Sequence, residues 1–253
     1  MGDAGDAIER AGLHRFFVEP SALDEARVIF TTAQQQQLRR VLRLRAGDRV
    51  VVCPGDGTEA IVTLHLEGPL VWGEPRGRAA GRAEPARDVW LYQSALRGER
   101  FTWLLQKGTE IGVRGFVPVL FQHTQTANYA ARADHYRAVI REAAEQCERT
   151  RLPDLLPAQP FAAALAQSAA HADATRLLLD ERESTNSLRA AVTQAGAPIC
   201  LFVGPEGGLH EEERALAHAA GMQPVSLGRR ILRSETAGLI GAALALAASG
   251  DLG

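Results

Sequence analysis

Two short stretches near the end of the chain hold the residues that could do chemistry. The first, Gly204-Pro205-Glu206-Gly207-Gly208, breaks an apolar run, Ile199-Cys200-Leu201-Phe202-Val203, and leads into Glu211-Glu212-Glu213. The second is Leu227-Gly228-Arg229-Arg230-Ile231-Leu232-Arg233-Ser234-Glu235-Thr236-Ala237. Two glycine-bearing turns, each at the end of an apolar strand, suit a small-molecule site in a parallel α/β domain. The first turn matches neither common nucleotide pattern, since it lacks the Lys-Ser/Thr pair of a P-loop and the Gly-x-Gly-x-x-Gly of a dinucleotide fold. Pro205 removes a backbone donor, and Glu206 brings negative charge where a phosphate needs positive. The loop therefore suits a ligand that is neutral or positive at its reactive atom, such as a sulfonium.

Other chemistries find little support. There is no Gly-x-Ser-x-Gly elbow, no Cys or Ser has an evident His partner, and the seven histidines are scattered. No His/Cys/Asp/Glu group has metal-ligand spacing, so no metal is expected. Transfer of a group already activated on a cofactor needs few protein groups and fits this scarcity.

The elements that must position these loops alternate. Strands are predicted at Val89–Ser94, Phe116–Phe121, Leu177–Asp180, Ile199–Val203 and Pro224–Leu227. Helices are predicted at Glu99–Ile111, Ala133–Arg149, Ser187–Ala195, Glu211–Ala220 and Glu235–Ala247. Tyr136, Val139, Ile140, Ala143 and Cys147 form one apolar stripe of the second helix. Strands alternating with helices imply an α/β fold, with a parallel sheet covered on both faces.

Upstream lies a smaller β-rich unit: a strand at His14–Val18, a helix capped by Thr31 or Thr32, and strands at Arg49–Cys53 and Glu59–Leu66. Leu38, Val41 and Leu42 give that helix its apolar side, and Arg39 and Arg43, four apart, are expected on one face. Met1–Gly12 is expected to fray. Gly, Pro and charge without an apolar period mark residues 73–87 as a linker, so the domains are read as 1–72 and 88–253.

Composition bounds the rest. Hydrophobic residues make up 46% and charged residues 23%, as in an ordinary globular protein, and the net charge of -2 gives no global drive toward nucleic acid. The basic residues are nearly all arginine, Lys107 being the one lysine, which is compatible with an RNA partner. Cys53, Cys147 and Cys200 are far apart and read as reduced thiols. No signal peptide opens the chain, and Ile240–Ala248 is too short to span a bilayer, so a cytoplasmic protein without membrane contact is expected.

The two loop stretches resemble the signature motifs of the RsmE family of SPOUT-class methyltransferases. The similarity extends over nearly the whole chain. Leu38–Asp48 is similar to the family's N-terminal segment, Lys107, Glu110, Ile111, Gly112 and Pro118 match a central motif, and Glu145, Gln146, Arg149 and Pro153 match another. The sequence departs from the family's pattern at Gln37, Pro54, His123 and Arg229.

The resemblance implies methylation by S-adenosylmethionine of N3 of a uridine (position 1498) in 16S ribosomal RNA of the small subunit. It implies a SPOUT-type parallel sheet whose C-terminal part threads a trefoil knot, an exception to the usual unknotted chain. It also implies an N-terminal PUA-like β-barrel that binds RNA, and a homodimer. Val203, Gly204, Glu206, Gly208, Leu227, Gly228, Ile231, Leu232, Arg233, Thr236 and Ala237 would contact the cofactor. Two residues are expected at the chemistry: Arg233 as the cation beside a uracil oxygen, and Glu206 as proton acceptor or partner of the sulfonium. A salt bridge from Arg233 to Glu235 or Glu206 that only shapes the loops is the alternative. Arg15, Arg39, Arg43, Arg45, Lys107 and Arg149 are expected on RNA phosphates, with the target base turned out of its strand. The rival readings are a SPOUT methyltransferase of tRNA or 23S rRNA, and a non-catalytic RNA-binding protein of ribosome assembly.

Overall fold

The computed structural model describes residues 12–23, 26–124, 129–194 and 198–252. Residues 1–11, nearly all of the segment expected to fray, and Ala195, the expected end of one helix, lie outside the described residues. The chain divides into two units, one of residues up to Glu84 with Ala144–Leu152, the other of Pro85–Ala143 and the chain from Pro153 onward.

The first unit holds strands β1 (Arg15–Phe17), β2 (Val28–Ile29), β3 (Arg49–Cys53), β4 (Thr58–Glu67) and β5 (Leu70–Ala80), in the sheet order β1-β3-β4-β5-β2. Alternating residues of these strands, among them Val50, Val52, Val62 and Leu64, meet Phe16, Phe30 and Leu38 in its core. Its short helix α1 (Thr32–Gln36) starts with a capping box between Thr31 and Gln34. The helix then widens into a π-turn over Gln37–Val41, and Arg43 takes a left-handed φ of 56°. The expectation that Arg39 and Arg43 share a helix face is therefore corrected. Val41, expected on the apolar side, is exposed for the same reason.

The linker expected over 73–87 is also corrected, because β5 runs through Ala80 and pairs along β4. Gly73 reads as a breaker in the sequence, yet a Cβ there would stand 2.8 Å from Cγ2 of Val62. The glycine is what lets the two strands close on each other.

In the second unit, parallel pairing links β12 (Gln223–Val225), β10 (Thr175–Leu179), β11 (Ile199–Val203), β6 (Val89–Ser94), β7 (Gly115–Leu120) and β8 (Asp154–Leu155), in that order. A short β9 (Gln159–Pro160) also pairs with β7. Helices α2 (Glu99–Ile111), α3 (Ala133–Gln146), α4 (Phe161–Ala169), α5 (Leu188–Gln194), α6 (Glu211–Ala219) and α7 (Ser234–Ala247) alternate with the strands. Every residue of β11 is buried, and the side chains of β6, β10 and β11 divide between two apolar clusters, as expected for a sheet covered on both faces. Helix α4 has no counterpart in the sequence reading. Its stretch is mostly alanine, and only Phe161, Ala164, Leu165 and Ser168 mark the buried face.

Among the described residues no helix is long and apolar enough to cross a membrane.

Candidate functional site

Strand register places the site. At the carboxyl ends of four neighbouring strands Val225 pairs with Leu179, Leu179 with Val203, and Val203 with Gln93. Leu179, Val203 and Val225 from this row line a cavity of about 310 Å³. Both glycine-bearing loops complete its wall, since the chain leaving β11 and the chain leaving β12 open over the same strand ends. Of the residues expected at the cofactor, Val203, Gly204, Glu206, Gly208, Leu227, Gly228, Ile231, Leu232 and Ala237 line the cavity. Thr236 and Arg233 do not. Arg233 is the exposed N-cap residue of α7, while Arg230 contributes the guanidinium on the wall.

The first loop is a tight turn. Gly208 donates its N–H to the carbonyl of Pro205 at 3.0 Å and takes a φ of +76°. A Cβ at Gly208 would come within 3.1 Å of Glu181 Oε1, so glycine here serves both the turn and the close approach. The loop is tied down from behind: Ser234 Oγ donates to the Gly204 carbonyl at 2.7 Å and accepts from Nε2 of the buried Gln93 at 2.7 Å. Neither Ser234 nor Gln93 stands out in the sequence.

The acidic run after the loop has a local reason. Glu213 accepts the N–H of His210, the N-cap of α6, at 2.8 Å, and the N–H of Gln122 at 2.7 Å. It therefore starts the helix and holds the chain that follows β7.

Carboxylates dominate the charge of the cavity. Asp180, Glu181 and Glu206 face one guanidinium, Arg230. Arg214 of α6 holds the first two, with Nε 3.0 Å from Asp180 Oδ2 and Nη2 2.9 Å from Glu181 Oε1. The hydrogen bond to Asp180 leads the contacts that raise the Arg214 pKa further, so this clamp stays charged. Glu206 is paired with Arg100 from the first turn of α2, and not with Arg233. Behind the loops, burial pushes the Cys200 thiol up to about 12, which keeps it neutral and unreactive.

A cavity with apolar walls from Leu179, Val203, Leu227 and Leu232, and with an excess of carboxylates, fits a partly apolar molecule that carries positive charge. S-adenosylmethionine, with its sulfonium, its ammonium and its adenosine, has that character. Among the described residues no group of three or more His, Cys, Asp and Glu could hold a metal ion.

The arginines expected on RNA separate into two kinds. Arg149 is 2% exposed and pairs with Glu84, Nη2 to Oε2 at 2.9 Å, and the Arg15 side chain, 7% exposed, pairs with Glu59. Both are structural ion pairs inside the first unit, which corrects their expected phosphate contacts: a buried guanidinium already matched to a carboxylate cannot reach a phosphate without breaking that pair. Arg39 donates to the carbonyls of Gly68 and Leu70 and fixes the turn between β4 and β5. Lys107 pairs with Glu110 one turn along α2. Arg43 and Arg45 are exposed.

Comparison with known proteins shows the family of the chain. Residues 83–246 match the RNA methyltransferase domain family. The chain is 34% identical over 228 residues to the ribosomal RNA small subunit methyltransferase E of Synechocystis sp., covering 88% of this chain and 74% of that one. It is 27% identical over 252 residues to the Bacillus subtilis protein of the same name, covering 90% and 93%. The crystal structure of the Neisseria gonorrhoeae ribosomal RNA small subunit methyltransferase E bound to S-adenosyl methionine superposes with a TM-score of 0.82 at 28% identity, covering 91% of this chain and 95% of that one. With matches of this length at both the sequence and the structural level, the chain belongs to the ribosomal RNA small subunit methyltransferase E family.

Proposed function

We propose that this protein methylates N3 of a uridine in small-subunit ribosomal RNA with S-adenosylmethionine, in the cytoplasm where ribosomes are assembled. The observation that carries the reading is the cavity at the carboxyl ends of β10, β11 and β12. It is bounded by both glycine-bearing loops and holds three carboxylates against one guanidinium. Leu179, Val203, Leu227, Leu232 and the carboxylates of Asp180 and Glu181 would hold the cofactor, with Arg214 keeping the last two in place. When bound, S-adenosylmethionine supplies a methyl group on a positively charged sulfur.

The residues of the chain then have two tasks. Uracil N3 carries a proton that must leave as the methyl arrives, and the Glu206 carboxylate at the cavity wall takes it. The base must also be held in line, and alignment of this kind lowers the barrier by removing motions that the free reactants keep. Arg233, exposed between the wall residues Leu232 and Ser234, offers its charge to the RNA.

The finer architecture belongs to the same reading. A trefoil knot threaded at Val203–Gly208 and Leu227–Ala237 is supported by the convergence of those loops on one cavity, with α7 packed against β6 and β11. A PUA-like, RNA-binding role for the first unit is supported by its five-stranded sheet and the exposed Arg43 and Arg45. Homodimerisation is supported by apolar side chains open to solvent on two helices packed together, Trp103 of α2 and Ile240 of α7.

Mass spectrometry of 16S rRNA from cells with and without the gene tests the reading. N3-methyluridine should vanish with the gene and return with its expression. An rRNA that keeps the modification without the gene sinks the proposal.

A further inference from the structure

A second cavity of about 340 Å³ shares Pro205, Glu206 and Gly207 with the first, and has no other lining residue in common with it. Its remaining wall comes from the chain leaving β6 and entering α2, including Ser94, Arg97 and Arg100, and from His123 and Thr124 after β7. One turn of backbone thus forms part of two cavities, and the Glu206 carboxylate faces both.

The charge reverses between them. Three carboxylates and one guanidinium line the first, while two guanidiniums and the single carboxylate of Glu206 line the second. Arg100 pairs with Glu206, and among the described residues no carboxylate pairs with Arg97. The floor is polar. The Thr124 hydroxyl accepts the Phe121 N–H at 2.8 Å and lies 3.3 Å from the Ser94 hydroxyl, whose residue is 1% exposed. Only one of these two hydroxyls donates to the other, so one hydroxyl proton is left for an acceptor in the cavity.

A group-transfer site needs its donor and acceptor in contact, and here the two have opposite electrostatic needs. The donor is a cation. The acceptor is a nucleotide that carries a phosphate and gains negative charge on its base as the N3 proton leaves. From the shared loop and the reversed charge we infer that the second cavity receives the target nucleotide, turned out of its RNA strand, with Arg97 on its phosphate and Arg100 beside the uracil oxygen on which charge grows. Arg100 has donors beyond those it spends on Glu206, so it can hold the proton-accepting carboxylate and the base together. This rests on the proposed uracil-N3 methylation and adds where the base sits and which cations meet it.

The test uses the full chain as Arg97→Ala, Arg100→Ala and Arg100→Lys, with 30S subunits whose target uridine is unmethylated. Methylation rates are read alongside S-adenosylmethionine binding by calorimetry. Each alanine variant should bind the cofactor like the wild type and methylate about 100-fold more slowly, as when one preorganised donor is removed. Arg100→Lys should recover part of the rate, and the rate of Arg100→Ala should climb with pH where the wild type is flat, because the base must ionise without its cation. Alanine variants that methylate at the wild-type rate would overturn the assignment. A wild type that binds the cofactor yet makes no N3-methyluridine would overturn the functional reading beneath it, a different result from the first.

Discussion

The hydroxyl of Ser234 stands 2.7 Å from the carbonyl oxygen of Gly204 and joins the first residue of α7 to the first glycine of the loop after β11. A carbonyl can only accept, so Ser234 must be the donor, and its oxygen is then free to accept from Gln93 of β6. Three elements therefore meet at one hydroxyl behind the cavity proposed for the cofactor.

Ser234→Ala is expected to leave both the Gly204 carbonyl and the Gln93 amide without this partner in a buried setting, a loss of about 1–3 kcal/mol. Part of that loss should appear as weaker S-adenosylmethionine binding, because the loop is no longer held in its binding form. Gly238→Ala should act in the same direction without touching the serine, since its Cβ would stand 2.3 Å from Gln93 Oε1 and push that amide aside. Calorimetric titration of both variants checks the chain of contacts, and unaltered affinity in both would show that the loop holds itself.

Ser234 and Gln93 also show where sequence reading stops. Both loops are legible because Gly, Pro and Glu interrupt apolar runs. The contact behind them joins residues 141 apart, and a serine at a helix start reads as nothing more than a cap. Arginine charge misleads in a similar way, because Arg15 and Arg149 read as RNA ligands while their carboxylate partners lie 44 and 65 residues away. Strand β5 is hidden because Gly73 signals a turn in one dimension and close strand packing in three. The parallel sheet is plain, since strands and helices alternate with the right periods, but α4 offers too little contrast between alanine and its neighbours to be seen.

The Glu84–Arg149 pair predicts an acid-sensitive first unit. Burial alone would raise the Glu84 carboxyl, but the Arg149 guanidinium and the N–H groups of Arg151 and Thr150 outweigh it and hold the pKa below the ordinary 4.5. A depressed carboxyl favours the folded state above its unfolded pKa, and that contribution is lost as pH falls through the folded value. Glu84→Gln should thus be less stable at neutral pH and lose less on acidification than the wild type. Arg149→Ala, which strands a largely buried carboxylate, should cost about 3–5 kcal/mol. Denaturant melts from neutral pH to about pH 3 read both effects. Parallel curves for Glu84→Gln and wild type would remove Glu84 from the account.

The exposed arginines predict the opposite pattern. Arg43→Ala and Arg45→Ala should leave the denaturation midpoint in place, since neither side chain is buried. Each should reduce the slope of log affinity against log salt by about 1 for binding to 16S rRNA or the 30S subunit, as a lost phosphate contact does. A slope that stays put in the double variant would return these residues to the solvated surface.

The apolar surface of α2 and α7 predicts the assembly. Trp103 and Ile240 are each 46% exposed, and Ile231 in the second loop is 88% exposed on the wall of the proposed cofactor cavity. A large aromatic and two isoleucines open to water on one methyltransferase unit are the raw material of a subunit interface, where apolar burial drives association and a buried unpaired charge opposes it. The wild type should sediment as the proposed dimer at micromolar concentration, and Trp103→Glu and Ile240→Glu should each shift it to monomer in sedimentation velocity. Circular dichroism should be unchanged, because both side chains already face outward. Because Ile231 belongs to both the surface and the cavity wall, the monomeric variants should also bind S-adenosylmethionine more weakly, although neither substitution touches that wall. Dimers that survive both charges would place the interface elsewhere. Monomers with full cofactor affinity would show that each cavity is complete within its own chain.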